Sequence, residues 1–153
     1  KAFPDLVVED IMQKSEIAFN DLEPIALCNL EVFMSDLKKK GYFLSVITNA
    51  AEAPTLIQLE KLSCLHLFDE VIGCDSGFKP KPSGDTILGF CDALGLKPDE
   101  IAMVGDSTHD LNAGRNAGVG LNVGVLSGPA NIDQISGLAD VVLDDILGLP
   151  EIL

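Results

Sequence analysis

Residues 101–118, IAMVGDSTHDLNAGRNAG, constrain this chain more than any other stretch. Ile101 to Val104 is a short apolar run closed by Gly105, the pattern of a buried strand. Asp106 follows where a parallel strand leaves its sheet, and Asp110 falls four residues later, in the first turn of a helix. Ser107 or Thr108 can cap that helix and Gly118 can end it. Two carboxylates are thereby held near one point at the carboxyl edge of a sheet. At about 5 Å and an effective dielectric of about 20 they repel by roughly 3 kcal/mol. A proton or a cation between them removes that cost. Hard oxygen donors at a helix start suit Mg²⁺, which takes one or two carboxylates and leaves its other positions to water and phosphate. A plainer reading stands beside this one: Asp106 as a turn residue, and Asp110 as an acid favoured by the helix dipole.

The rest of the chain alternates strands with helices. Residues 1–23 place Val7, Val8, Ile11, Met12 and Phe19 at the spacing of an amphipathic helix after Pro4. Pro24 marks a boundary, and a second helix is expected from Ile25. Lys38, Lys39 and Lys40 fall in its last turn, where cations suit the dipole, and Gly41 stops it. That lysine run reads as a solvated helix end. Tyr42 to Ile47 is a β-rich run ending in Thr48-Asn49, a hydroxyl and an amide able to bind an anionic oxygen. Thr48 can equally cap the helix expected over Thr55 to Leu62. Phe68 to Cys74 reads as a strand, and DSGFKPKP at 75–82 as a proline-interrupted loop carrying Lys79 and Lys81. A helix over Thr86 to Leu94 ends at Gly95. Beyond Gly118, strands are expected over Val119 to Val125 and Asp140 to Leu143, with a short helix at Asn131 to Leu138 and a terminal helix at Ile146 to Leu153. Gly118, Gly120 and Gly124 lack the spacing and context of a dinucleotide fingerprint. His109 reads as a solvent-facing helix residue and His66 as structural.

This alternation predicts an α/β chain, a parallel sheet with helices on both faces. Ligands in such sheets sit outside the carboxyl ends of the strands. Thr48, the Lys79 loop, Asp106 and Asp110 all map to that edge, and this convergence favours a site for phosphate plus metal.

Charge narrows the partners. A formal net charge of −14 over 153 residues argues against a phosphate-tracking nucleic-acid binder and against a polybasic membrane binder. An anionic substrate meets a repulsive field and needs local positive charge from a metal, a lysine or a helix end. Cys28, Cys64, Cys74 and Cys91 are widely spaced, with no CxxC pair, so buried free thiols in a reducing compartment are expected. No apolar run is long enough to span a membrane and no signal pattern opens the chain. The expected setting is the cytoplasm.

Three short motifs in order carry a resemblance. VITNA at 46–50 is a strand ending in Thr48, KPKP at 79–82 has the form KPxP, and GDSTHD at 105–110 holds the acidic pair. Over residues 24–153 the chain resembles the haloacid dehalogenase superfamily, in particular its phosphoglycolate-phosphatase-like members. The resemblance implies a Rossmann-like three-layer α/β/α core and a phosphatase acting on a small phosphomonoester through an aspartyl-phosphate. By the same resemblance, Thr48 and the backbone around Asn49 bind phosphate oxygens. Lys79 neutralises the nucleophile and the transferring group. Asp106 binds Mg²⁺, with Asp110 assisting directly or through water. The expected partner is a small phosphorylated metabolite, with no nucleic acid or membrane.

The family's first motif, DxDx[TV], supplies the aspartate nucleophile and the acid/base. It does not occur here: VVED at 7–10 lacks the second aspartate, and Asp144-Asp145 lies at the wrong end. In the family that strand lies between the strand ending at Thr48 and the one ending at Asp106, and an unfilled place leaves backbone groups unpaired. The expectation is therefore a C-terminal part of a longer protein. Residues 1–23 would be the remnant of a helical cap and 24–153 a core lacking its first strand, inactive alone. A non-catalytic phosphate- or metal-binding module is the alternative, and phosphomutase or dehalogenase chemistry a third. The acidic pair favours Mg²⁺ chemistry over dehalogenation.

Overall fold

The computed structural model describes residues 23–153. The helix and cap remnant expected within 1–23 lie outside the described residues, save Glu23. The chain divides into two compact units. One comprises residues 1–46 and 50–73, the other residues 47–49 and 74–153.

In the first unit, helix α1 is Leu30–Lys39. It begins five residues later than the apolar pattern suggested, because Asn29 takes the N-cap and its side chain accepts from the Val32 amide at 3.1 Å. A side-chain cap satisfies an amide that otherwise has no partner in the helix. Gly41, at φ 94°, follows the helix. Lys38 is not a solvated end. Its ammonium lies 2.6 Å from both carboxylate oxygens of Asp69 and 5.6 Å from the Phe43 ring centroid. Asp69 in turn accepts the Leu44 amide at 2.7 Å. Burial alone would raise the Asp69 carboxyl, but Lys38 and the amide outweigh it and hold it below its ordinary value. Lys39 pairs with Asp36 on the surface. Strands β1 (Ser45–Ile47) and β2 (Glu70–Ile72) form a two-stranded sheet, and helix α2 (Glu52–Lys61) lies between them in sequence. The N-cap of α2 is Ala51, so Thr48 does not cap it.

The second unit is built on three parallel strands in the order β3-β4-β5: Ala102–Gly105, Leu121–Val125 and Val141–Leu143. Helix α3 (Asp85–Leu94) ends in Gly95 at φ 67°, a left-handed position that glycine takes without a Cβ penalty. Helix α4 (Thr108–Ala117) runs between β3 and β4 with Ser107 as N-cap and Gly118 as C-cap. Helix α5 is the short Ile132–Ile135, capped by Asn131. The terminal helix is a 3₁₀ segment over Ile146–Glu151, because Pro150 lacks the amide an α-helical ladder needs.

The core of this unit joins Ile87 and Cys91 of α3, Met103 of β3, and Ala113 and Ala117 of α4, with Ile47, Ile101 and Val119 packed against them. Leu111, Val123 and Ile135 are also fully buried, and each such side chain stabilises by about 1.5–3 kcal/mol relative to exposure. Small residues on α4 let the helix sit close to the strands. A Cβ at Gly114 would overlap the Asn122 side chain, which enters from β4. Asn122 is buried, and its Nδ2 donates to Leu111 O at 2.8 Å and Leu138 O at 3.0 Å.

The fold class is α/β, as the pattern of elements implied. The described strands form two sheets, β1-β2 and β3-β4-β5, and among the described residues β3 pairs with β4 alone. The strand that the resemblance places between β1 and β3 is not among the described residues, so the hydrogen-bond ladder stops at β3. All four cysteines are free, with Cys64 and Cys91 buried, but Cys74 is exposed. That departs from the expected burial, because Cys74 lies past β2 in the loop before α3. No helix among the described residues is long and apolar enough to cross a membrane.

Candidate active site at the carboxyl end of β3

Strand β3 ends at Gly105, and the chain turns at once through Asp106 and Ser107 into α4. The turn is held from inside. Ser107 Oγ accepts from the Asp110 amide at 3.3 Å and donates to Asp110 Oδ2 at 2.5 Å, and the Ser107 amide donates to the same oxygen at 3.1 Å. This reciprocal cap satisfies amides of the first turn and fixes the Asp110 rotamer. The backbone around it is crowded: a Cβ at Gly105 would overlap the Asp110 side chain.

The other oxygen of Asp110 is taken by a lysine. Lys81 Nζ lies 2.5 Å from Asp110 Oδ1, with side-chain exposures of only 11% and 10%. The same ammonium donates to Ile47 O at 2.6 Å. Burial alone would raise the Asp110 carboxyl, but the Lys81 ammonium and the Ser107 donors outweigh it and hold it below the ordinary value.

Asp106 is in the opposite state. It is half-buried, and among the described residues no lysine or arginine forms an ion pair with it. Burial, then the neighbouring Asp110 charge, push its carboxyl above the ordinary value. Gly128, in the turn after β4, comes so close that a Cβ there would overlap the Asp106 carboxylate, and the Ala130 amide donates to Asp106 O at 3.3 Å. The cluster of two carboxylates and one ammonium keeps one negative charge, concentrated on Asp106. A cation beside Asp106 would relieve both its burial cost and its repulsion from Asp110.

No group of three or more His, Cys, Asp or Glu side chains gathers among the described residues. Mg²⁺ does not need one, because it keeps several waters and is bound through one or two carboxylates plus substrate phosphate. Asp106 fits as such a ligand. Asp110, with both oxygens engaged by Lys81 and Ser107, is placed to act through those neighbours or through water.

The two lysines of the 79–82 loop have different fates. Lys79 is 79% exposed and pairs with Asp85 at 3.1 Å, where Ser83 Oγ also donates at 2.8 Å. The lysine brought to the acidic pair is Lys81. The sequence carries Lys-Pro twice, at 79–80 and 81–82, so the loop can be read in two registers. The second register, KPSG, has glycine where KPxP has its second proline, and only packing distinguishes the two. The loop is pinned from α3 and α4: Thr86 Oγ1 donates to Lys79 O at 3.3 Å and Asn116 Nδ2 to Pro82 O at 2.8 Å. Gly84 sits on the backbone of Asn116 and Ala117, with no room for a Cβ.

Thr48, half-buried, lies between Ile47 and Asn49, the two residues that hold Lys81. The Asn49 side chain is committed to the Lys81 backbone. Sequence reading alone did not single out Ser107 beyond its cap, nor Gly128. His109 is exposed, as expected, and so is His66.

An α/β unit with a lysine-buttressed acidic pair at the carboxyl end of a parallel strand is an arrangement suited to binding an oxyanion together with a cation. Comparison with known proteins is specific about its class. The family model of the haloacid dehalogenase-like hydrolases matches residues 2–123, and the chain belongs to that family. A phosphoglycolate phosphatase of Pasteurella multocida is 34% identical over 137 residues, covering 83% of this chain and 60% of the relative. A pyrophosphatase PpaX of Bacillus velezensis is 35% identical over 85 residues, covering 56% of this chain and 39% of the relative. A crystal structure of a predicted phosphoglycolate phosphatase from Haemophilus somnus matches with a TM-score of 0.76 at 31% identity, over 81% of this chain and 55% of that one. The chain thus spans less than two thirds of the length of these relatives.

Proposed function

We propose that this chain is part of a Mg²⁺-dependent phosphatase that hydrolyses a small phosphomonoester, phosphoglycolate-like, through an aspartyl-phosphate. The observation that carries the reading is the state of Asp106: half-buried, raised by burial and by Asp110, and set beside a Lys81–Asp110 pair that leaves it without an ammonium of its own. Similarity to phosphoglycolate phosphatases supports the substrate class.

In this reading the bound Mg²⁺ supplies Lewis-acid charge to the phosphoryl oxygens. Asp106 is its protein ligand. Lys81, oriented by Asp110 and Ile47 O, presents a fixed positive charge to the nucleophile and the transferring group, so no reorganisation is needed during reaction. Thr48 and the amides around Asn49 hold phosphate oxygens. Asp110 keeps Lys81 and the α4 turn in place. By the family resemblance the nucleophile would be an aspartate of a DxDx[TV] motif, which does not occur in these 153 residues. The four free thiols support a reducing, cytoplasmic setting.

The test is Asp106→Asn in the complete protein, with Mg²⁺ titrated against para-nitrophenyl phosphate hydrolysis. The variant should fold, bind Mg²⁺ weakly and lose at least about 100-fold in kcat, in line with removal of one electrostatic element. Unchanged Mg²⁺ affinity and turnover would refute the assignment. Absence of any phosphatase activity in the complete wild-type protein would favour the non-catalytic module instead.

A further inference from the structure

Asn49 and Lys81 are joined by a two-way bond. The Lys81 amide donates to Asn49 Oδ1 at 3.0 Å, and Asn49 Nδ2 donates to Lys81 O at 3.0 Å. A side-chain amide has the same donor and acceptor as a backbone peptide, so the pair reproduces one rung of strand pairing and fixes residue 81 along and across its chain. The grip has a second point. Two residues before Asn49, Ile47 O accepts the Lys81 ammonium at 2.6 Å. The segment 47–49 therefore holds Lys81 at its backbone and at its charged end, while Asp110 takes the remaining direction.

We propose that Asn49 is the positioning residue for Lys81. A lysine side chain has many rotamers, and fixing the root of the chain limits where its ammonium can go. The Lys81 backbone lies in a loop between two prolines, Pro80 and Pro82. Neither has an N–H, so the loop's own turn bonding is poor in donors at this point. Asn49 supplies the missing partner from the end of β1. Asn49 itself is exposed, so its bonds add little to stability and their effect falls on geometry. The requirement is for a short side-chain amide. Alanine removes both bonds, and glutamine shifts the amide by one methylene. The kinetic half of the proposal rests on the phosphatase reading above; the clamp does not.

The experiment uses the complete protein and three variants, Asn49→Ala, Lys81→Ala and the double variant. Turnover is measured with para-nitrophenyl phosphate and Mg²⁺, and amide hydrogen exchange at Lys81 is followed separately. Asn49→Ala should lower kcat about tenfold and change KM less than about threefold, the pattern of lost transition-state positioning. In the Lys81→Ala background it should cost nothing further, because residues acting as a unit are not additive. Exchange at the Lys81 amide should accelerate, with β3 and β4 amides unchanged. Losses that add in the double variant, or unaltered exchange at Lys81, would overturn the assignment. An inactive wild-type protein would refute the phosphatase reading, and the exchange measurement would still decide the clamp.

Discussion

Replacing each lysine of the 79–82 loop by methionine separates the two registers of the motif by a large margin. Methionine keeps most of the stem and removes the charge. At Lys81 the substitution strips a buried pair of one partner, with Lys81 and Asp110 only 11% and 10% exposed. Breaking such a pair costs about 3–5 kcal/mol because the remaining charge stays desolvated. Asp110 retains both Ser107 donors at 2.5 and 3.1 Å, while Ile47 O loses its donor, so the lower end, about 3 kcal/mol, applies. For a domain of this size that is about 6–12 °C in Tm. At Lys79, 79% exposed opposite Asp85, solvent screens the pair and Tm should stay within error. The assay is thermal unfolding at neutral pH, followed by turnover of the complete protein. Lys81→Met should lose both stability and activity, and Lys79→Met neither. A stable, active Lys81→Met beside a crippled Lys79→Met would refute the reading of the loop.

Metal-free stability should fall as pH rises from the ordinary Asp range through the raised Asp106 value, because the folded state then holds a proton the unfolded chain has released; urea unfolding in EDTA should show this fall, and Asp106→Asn should abolish it. Gly128→Ala drives a methyl group into the Asp106 side chain, its Cβ included, and should lower Tm as well as weaken Mg²⁺ binding, read by thermal unfolding and calorimetry; no change in either would show that the turn yields freely. Asn122→Leu removes the side-chain donor that Leu111 O and Leu138 O share, while Leu138 O keeps Arg115 Nε at 2.9 Å, and should cost about 1 kcal/mol in urea unfolding; a neutral result would show that Asn122 does not tie β4 to α4. Acid should weaken the Lys38–Asp69 contact only below the ordinary Asp range, since Asp69 titrates lower than that in the folded chain. Chemical shifts of Asp69 over that range check it.

The sequence alone determined the elements around β3. An apolar run, a glycine, an acid, a capping serine and a second acid at helical spacing leave one local solution, and the structure adopts it from Ala102 to Gly118. Gly95 and Gly118 likewise announce helix ends because left-handed backbone is cheap only for glycine. These are short-range matters of dihedral angle and capping. Apolar spacing places the start of α1 too early, because the pattern runs on through residues that lie before the Asn29 cap. Tertiary structure alone decided which lysine meets Asp110, that Asn49 spends its amide on the Lys81 backbone, and that Asp106 lies against Gly128. Each depends on where segments more than twenty residues apart come together, and local pattern is silent about that. Burial and neighbouring charge, set by that packing, then divided two identical carboxylates into one held by a lysine and one without a lysine or arginine partner among the described residues.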